Sequence, residues 1–464
     1  MFLVSMNFAG AQSPVTTLSN VQPFLSADFT QKCEDQLSSL KGALDKNDVS
    51  EMANEELIAE GPQLLRTFWD LRLKLHGSLP ALDKSCVLKV RTLFHTLRDA
   101  EDFVGEILHH KIAKDPKYVD FQKEAIPIYN RSAYPPFLIK AGLDLPQFEF
   151  KSGDIVLARG ISFFSAIITQ LSNNRSHFSH SFVLSVDPET KKIRSVESYV
   201  GENVQSYDIN YALRNENVRL MVLRPRDPEM GIRAAKFAME LADKNVRYDY
   251  KMDFDDANEM SCVEVPVYSY KKASDGSLQI PLYPAQVDHR NKRFLENLGI
   301  KPGDFITPDD LETDPRFELV LDWSDPGLIR NSRYKDAVLS EVVRWSDELD
   351  YQFHESFKTF LATRVLLPLK NSFLAPLMSW IPFLPTVDAH IPRETLSAMT
   401  ALDEVSQKLL DEVKKADQEF FSKNKRPLTK RQLREFLAAL QVQDLKSYQA
   451  GKKSIFHQIF RPGL

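Results

Sequence analysis

Three residues near the middle of the chain have the side chains that an activated thiol requires: His180, Glu197 and Cys262. A histidine on a strand can act as a general base, and a carboxylate on the next strand can orient its imidazole. A cysteine at the start of a helix can be the nucleophile, because helix N-termini and imidazolium groups favour the thiolate. Such groups act together through geometry rather than through their order along the chain. These residues therefore predict nucleophilic catalysis by Cys262.

The surrounding sequence indicates which elements hold these three side chains. β-Branched and aliphatic runs between turn residues predict four strands, at 154–158, 181–186, 193–197 and 218–223. The spacing of apolar residues predicts helices at 161–171 and 232–244, and a further helix or turn begins at Ser261. We expect an α+β fold in which helices pack on an antiparallel sheet. Adjacent antiparallel strands can then bring His180 and Glu197 within hydrogen-bond distance.

Five pieces of sequence between about residues 148 and 270 resemble a known family. They are the strands GDIV, FSHSFVL and VES, the segment YDYKMDF that precedes the cysteine, and the nucleophile turn SCVEV. In this order they resemble the YiiX/YebB-like cysteine hydrolases. That family is a circularly permuted branch of the NlpC-type papain-like fold and is related to lecithin:retinol acyltransferase-like enzymes. Papain-like enzymes carry the cysteine before the histidine, and here the order is reversed.

The resemblance implies a permuted papain-like fold and a division of roles among the three residues. Cys262 would be the nucleophile, His180 the base and then the acid, and Glu197 the group that orients the imidazole. The family commonly follows the cysteine with Ser-Glu-Leu/Phe-Val, whereas this chain continues Val-Glu-Val-Pro. Because proline interrupts helices, Pro266 is expected to break the helix in its second turn and to weaken its effect on the thiol.

Acyl transfer also needs a donor for the negative charge that develops on the carbonyl oxygen. The backbone N–H of Cys262 is one expected donor. Tyr248 or Tyr199 could supply a side-chain donor, with simple packing as the alternative for each. His177 is interpreted as a surface residue. We expect neither a cofactor nor a metal ion at this site.

Composition divides the chain into regions. The predicted divisions are a possible signal-peptide remnant at 1–11, an N-terminal helical domain at 26–145, a permuted papain-like catalytic domain at 146–335, and a C-terminal helical region at 336–464 with an apolar arm at 365–387. Within the N-terminal domain, apolar spacing predicts helices at 29–44, 50–75 and 86–110. The last region is expected to be helical to its end.

The first residues bear on localisation. A short apolar run ends in Ala9-Gly10-Ala11, a pattern typical of secretory cleavage sites, and predicts export to the periplasm or the extracellular space. The run lacks a basic segment, so a cytoplasmic location is the alternative. In an exported protein Cys33 and Cys86 could form a disulfide and leave Cys262 free. Alternatively, both are packed core thiols, since each lies on an apolar helical stripe.

Charge and apolar surface bear on partners. A net charge of -5 argues against general nucleic-acid binding, yet residues 414–464 hold twelve Lys/Arg against four acids. This basic region could contact an anionic membrane surface or form a solvated helix face. The arm at 365–387 contains four prolines and is too broken to span a bilayer. It could contact lipid or pack over the catalytic domain.

These features predict a thiol-dependent hydrolase that cleaves an amide, ester or thioester bond. A cell-wall peptide or N-acyl compound would suit an exported enzyme, and an acyl lipid would suit the apolar arm and the basic C-terminal region. The alternative is a catalytically silent scaffold or membrane-surface binding protein that retains the fold.

Overall fold

The computed structural model describes residues 15–112, 137–139, 149–170, 176–200, 202–214, 217–250, 258–284, 292–297, 306–354 and 393–463. The predictions of a signal segment at 1–11 and of an apolar arm at 365–387 lie outside these residues. None of the helices in the described part of the chain is both long and apolar enough to cross a membrane.

Helices form the N-terminal region. They are α1 (Val15–Val21), α2 (Cys33–Lys46), α3 (Asn54–Ser78) and α4 (Lys84–Ile112), joined in part by single 3₁₀ turns. Apolar residues at helical spacing bury a common core, so α2, α3 and α4 match the predicted helices to within about four residues. A disulfide joins Cys33 to Cys86, with their Cα atoms 6.2 Å apart. Of the two alternatives for this pair, the structure has the disulfide.

The middle of the chain forms a seven-stranded antiparallel sheet. Its strands are β1 (Phe137–Ile139), β2 (Ile155–Gly160), β3 (His180–Val186), β4 (Ile193–Tyr199), β5 (Asn203–Asp208), β6 (Asn217–Pro225) and β7 (Phe317–Ser324). They lie in the order β1-β7-β6-β2-β3-β4-β5. The predicted α+β class is therefore confirmed, and all four predicted strands are present. The sequence analysis missed β1, β5 and β7.

Shorter helices accompany the sheet. They are α5 (Phe163–Gln170), α6 (Ile209–Arg214), α7 (Pro228–Asp243), α8 (Glu264–Ala273), α9 (Lys292–Asn297) and α10 (Pro308–Glu312). Side chains alternate between the two sheet faces. Val156 belongs to a core that includes residues of α6, whereas Leu157 packs in a second core with Trp69 of α3 and residues of α7 and α8. The sheet is thus buried on both faces along β2.

At the GDIV motif, where β2 begins, the backbone at Gly153 lies very close to the backbone of α7 at Gly231. Gly153 has φ +87°, and a Cβ atom placed there would lie 2.3 Å from the backbone of Gly231 in α7. Only glycine allows this contact without displacement. The following Asp154 is fully buried and accepts hydrogen bonds from the Lys151 N–H and from Arg224. The motif therefore sets how α7 lies against the sheet.

The C-terminal region contains α11 (Pro326–Leu349), α12 (Arg393–Asn424) and α13 (Lys430–Gln449). It also contains a two-stranded sheet of β8 (Tyr351–Phe353) and β9 (Phe460–Pro462), so the expectation of an entirely helical region was wrong. Aromatic packing explains this pairing, because Phe460 lies 4.6 Å from Phe353 and 5.1 Å from Tyr351 between ring centroids. The predicted boundary between 335 and 336 falls inside α11.

Buried ion pairs attach the N-terminal helices to the sheet region. Arg72 of α3 contacts Glu101 of α4 and Asp322 of β7, at 2.8 and 2.7 Å. Arg98 of α4 reaches Glu312 of α10 in the same way. Buried charges require such partners, because removal of one member leaves the other charge uncompensated. The N-terminal helices are therefore held to the same body as the sheet.

Candidate active site

His180 is the first residue of β3 and lies next to the strand that carries Glu197. Val183 of β3 pairs with Val196 of β4, and this register places Tyr199 directly opposite His180. Glu197, two residues before Tyr199, therefore lies on the same face of the sheet as His180. His180 Nε2 lies 2.8 Å from Glu197 Oε2, and the histidine side chain is 15% exposed. The antiparallel pairing thus delivers the predicted contact between imidazole and carboxylate.

Glu197 is fully buried and uses both of its carboxylate oxygens. Oε2 contacts His180, while Oε1 accepts a hydrogen bond of 2.6 Å from the Ser195 hydroxyl on the same strand. A buried carboxylate is tolerated only when such partners replace its hydration. Ser195 therefore holds the carboxylate in the orientation that His180 requires.

Cys262 lies in a turn that the same two strands hold in place. The Ser181 hydroxyl of β3 donates to the Cys262 carbonyl oxygen at 3.2 Å. The Ser198 hydroxyl of β4 donates to the carbonyl oxygen of Met260 at 2.7 Å. Cys262 is the one free cysteine of the chain and is partly exposed. The elements that carry the imidazole and the carboxylate thus also fix the backbone around Cys262.

The helix after the cysteine is not broken by proline. Helix α8 begins at Glu264, so Pro266 is its third residue, and the helix continues to Ala273. N–H groups in the first turn have no partner within the helix, so a proline there costs no hydrogen bond. The expected break in the second turn was wrong. Glu264 also accepts a 2.6 Å hydrogen bond from the Ser261 N–H, which fixes the turn against the helix start.

Charge and hydrogen bonding keep the imidazole of His180 protonated. Burial alone would lower the pKa of His180, but the hydrogen bond and charge of Cys262, followed by those of Glu197, raise this pKa to about 10. Glu197 occupies Nε2, so a hydrogen bond between His180 and Cys262 has to use Nδ1. At neutral pH this arrangement presents an imidazolium to the thiol group.

The two tyrosines considered as donors have different surroundings. The Tyr199 ring stacks on the His180 imidazole, with centroids 4.7 Å apart and planes at 15°, so it positions that ring. Tyr248 is 5% exposed, and its burial, together with the negative charge of Cys262, raises its pKa well above the usual value. The Tyr248 phenol therefore keeps its proton.

The interpretation of His177 as a surface residue was wrong. Its Nδ1 lies 3.0 Å from Nδ1 of His95 in α4, and its Nε2 lies 2.7 Å from Oδ1 of Asp99. His95 Nε2 in turn lies 3.0 Å from Oδ2 of Asp309 in α10. Burial lowers the pKa of His177 to about 3 in spite of Asp99, so its imidazole is neutral at neutral pH. We refer to His95, Asp99, His177 and Asp309 as the His95–His177 cluster.

Sequence reasoning missed this cluster, although two weak signals were present. His95 and Asp99 are four residues apart and so share one face of α4. Asp309 lies in the first turn of α10, where acidic residues are common because they complement the helix dipole. In the structure Asp309 accepts hydrogen bonds from the His177 and Phe178 N–H groups at 3.1 and 3.3 Å. It therefore positions the segment that leads into His180.

Comparisons with known proteins give little further support. No protein-family model and no curated protein matches the chain. Among solved structures, the chain is similar to the crystal structure of metalloprotein yiiX from Escherichia coli O157:H7, with a TM-score of 0.31 and 17% sequence identity. That match covers 37% of this chain and 97% of the other. The yiiX protein is therefore a weak structural neighbour, and no family is shown for this chain.

Proposed function

We propose that this protein is a thiol-dependent hydrolase that cleaves an amide, ester or thioester through an acyl-enzyme on Cys262. The observations that carry the proposal are that Glu197 holds the His180 imidazole at 2.8 Å, and that Ser181, the next residue along β3, holds the backbone of Cys262, whose charge raises the pKa of His180. A base held by a third group beside a nucleophile is the arrangement that covalent catalysis requires. The proposed fold is a permuted papain-like one, supported by the antiparallel sheet and by the helix that follows the cysteine.

In the first half-reaction, the Cys262 thiolate attacks the substrate carbonyl carbon and forms a C–S bond. The carbonyl π electrons move to oxygen, where the Cys262 N–H and the Tyr248 hydroxyl stabilise the negative charge. When the tetrahedral intermediate collapses, the bond to the leaving group breaks. The His180 imidazolium protonates the departing amine, alcohol or thiol.

In the second half-reaction, water replaces the leaving group. Neutral His180 removes a proton from the water as its oxygen attacks the acyl carbon. The C–S bond then breaks, the carboxylic acid departs, and the thiolate and imidazolium are restored. Glu197 remains ionised throughout and stabilises each imidazolium stage.

Two substrate classes accompany this chemistry in the proposal: a cell-wall peptide or N-acyl compound, and an acyl lipid on an anionic membrane surface. The disulfide between Cys33 and Cys86 supports an exported protein, because disulfides persist mainly in oxidising compartments. The basic C-terminal residues support the lipid class. Flotation with anionic liposomes would separate the classes. Equal binding by the full chain and by a chain lacking 350–464 would remove the lipid argument.

The hydrolase proposal is tested by turnover on paired peptide and acyl-ester substrates that share one acyl group. The native chain should release the acid from one class, and Cys262→Ala should not. A trapped acyl group on Cys262, detected by mass spectrometry after rapid acid quench, would identify the covalent intermediate. Turnover by Cys262→Ala equal to that of the native chain would contradict the proposal. Failure of both classes in the native chain would favour the silent scaffold.

A further inference from the structure

Outside the proposed active site, His95 and His177 face each other through the same ring atom. Their Nδ1 atoms are 3.0 Å apart, and their ring centroids are 4.8 Å apart. Each ring has its other nitrogen against a carboxylate, namely Asp309 for His95 and Asp99 for His177. The pair is therefore a chain of four groups, carboxylate to imidazole to imidazole to carboxylate.

When both imidazoles are neutral, the protons of this chain cannot satisfy every contact. An ionised carboxylate only accepts hydrogen bonds, so Asp309 and Asp99 each require an N–H at the Nε2 atom they contact. A neutral imidazole has one N–H, and its use at Nε2 leaves a lone pair at Nδ1. Two Nδ1 lone pairs then face each other at 3.0 Å. Two kinds of cation resolve the conflict: a third proton, which makes one ring an imidazolium that donates to the other, or a metal ion that both lone pairs bind.

From this geometry we propose that His95 and His177 bind a divalent transition-metal ion of the zinc type through their Nδ1 atoms. Histidines that ligate metals usually donate their other ring N–H to a carboxylate, which is the arrangement both rings show here. Two nitrogens at about 2.05 Å from a tetrahedral zinc ion would lie about 3.3 Å apart. The observed 3.0 Å requires only a small opening of the pair.

Other polar groups surround the two nitrogens. His95, His177 and Asp309 each have a potential ligand atom, and these atoms lie within 4.8 Å of one another; Asp309 is the carboxylate that supports the His95 ring. The two histidines also line a cavity of about 460 Å³, where the acids, among them Asp99 and Asp102, are accompanied by six basic residues. Water from this cavity can complete the coordination, and the cavity gives the ion a path from solvent. Imidazole with carboxylate and water suits zinc and related ions.

The proposed ion would join two parts of the molecule that are distant in sequence. His95 belongs to α4 of the N-terminal region, and His177 precedes β3 by three residues. A ligand from each side would fasten α4 to the segment that leads into His180. The proposed metal ion has a structural role, and the proposal does not depend on the proposed hydrolase activity.

The test is zinc binding by the full chain, freed of metal with a chelator and titrated in competition with a chromophoric chelator. All variants carry Cys262→Ser, because the active-site thiol and imidazole could themselves bind zinc. Cys262→Ser alone should bind one tight equivalent. His95→Gln or His177→Gln should lower the zinc affinity by more than the roughly 10–100-fold that the loss of an outer-shell partner costs. The control His354→Gln, which alters a histidine after β8, should bind as Cys262→Ser does.

Cobalt(II) gives a second readout on the native chain and requires no folded variant. Cobalt held by nitrogen and oxygen should show visible d–d bands without a thiolate charge-transfer band. The inference is overturned if Cys262→Ser removes the zinc equivalent or if a thiolate band dominates the cobalt spectrum. It is also overturned if folded His95→Gln and His177→Gln retain the equivalent, or if the native chain binds no zinc.

Discussion

His177 and His180 lie three residues apart, yet their surroundings drive their protonation in opposite directions. His180 faces Cys262 and Glu197, and its pKa rises to about 10. His177 faces one carboxylate and a second imidazole, and burial lowers its pKa to about 3. Burial opposes the charged form at both positions, so the number of anionic partners decides the outcome. One short segment thus carries a charged imidazole and, three residues away, a neutral one.

The largest expected effect is the loss of turnover when Cys262 or His180 is replaced. Cys262→Ala should lower turnover by about 10⁴-fold or more, because it removes the nucleophile from a group that acts as a unit. His180→Ala should cost nearly as much, whereas the double variant should be little worse than either single one. Steady-state rates on the preferred substrate measure this. Additive losses in the double variant would contradict a shared catalytic role.

Removal of the carboxylate should have the next largest effect. Glu197→Gln should lower kcat by about 100-fold, the lower range for acid–base groups, because a neutral amide no longer stabilises the imidazolium. The loss of this anion should also lower the pKa of His180. A pH–rate profile should therefore lose its alkaline arm at a lower pH than in the native chain. An unshifted profile with unchanged kcat would show that Glu197 does not support His180.

The raised pKa of His180 also predicts a pH dependence of stability. Its contribution is fully present below the ordinary value of 6.5 and is lost as pH rises towards the folded value of about 10. The native chain should thus lose on the order of a few kcal/mol over this window, since one pKa unit corresponds to about 1.4 kcal/mol. Chemical denaturation at several pH values measures this decline in the free energy of unfolding. His180→Gln should flatten the alkaline decline, and an unchanged slope would contradict the assignment.

The smallest of these effects concerns the support of Glu197. Ser195→Ala removes the hydroxyl that donates to Oε1 while leaving the contact between Glu197 and His180. Loss of one hydrogen bond to a charged group costs about 1.5–3 kcal/mol, only part of which should appear in the barrier. We expect kcat to fall by about fivefold to tenfold. Thr at position 195, which restores a hydroxyl, should recover the rate, and a failure to recover it would point to packing instead.

The sequence predicted best those features that depend on local patterns. Apolar spacing located α2, α3 and α4, and alternation located the strands that carry His180 and Glu197. The order and types of the three active-site residues were enough to propose that they meet. Each of these inferences used residues that are close in sequence or motifs with a recognised arrangement.

What the sequence did not predict depends on long-range packing. His95 and His177 are 82 positions apart, and only the docking of α4 against the sheet region brings them together. Strand β7 was missed for a related reason. Its Asp322 is buried and paired with Arg72 of α3. Burial compensated by a distant charge leaves no local signal in the sequence.

The most direct test of the central claim is the rate at which iodoacetamide alkylates Cys262 at neutral pH, since a protonated His180 should hold the sulfur as a thiolate. The native chain should react at least about tenfold faster than His180→Ala, because an imidazolium is what activates such a thiol. The control His354→Gln, which alters a histidine after β8, should react as fast as the native chain. Equal rates in the native chain and in His180→Ala would contradict the account.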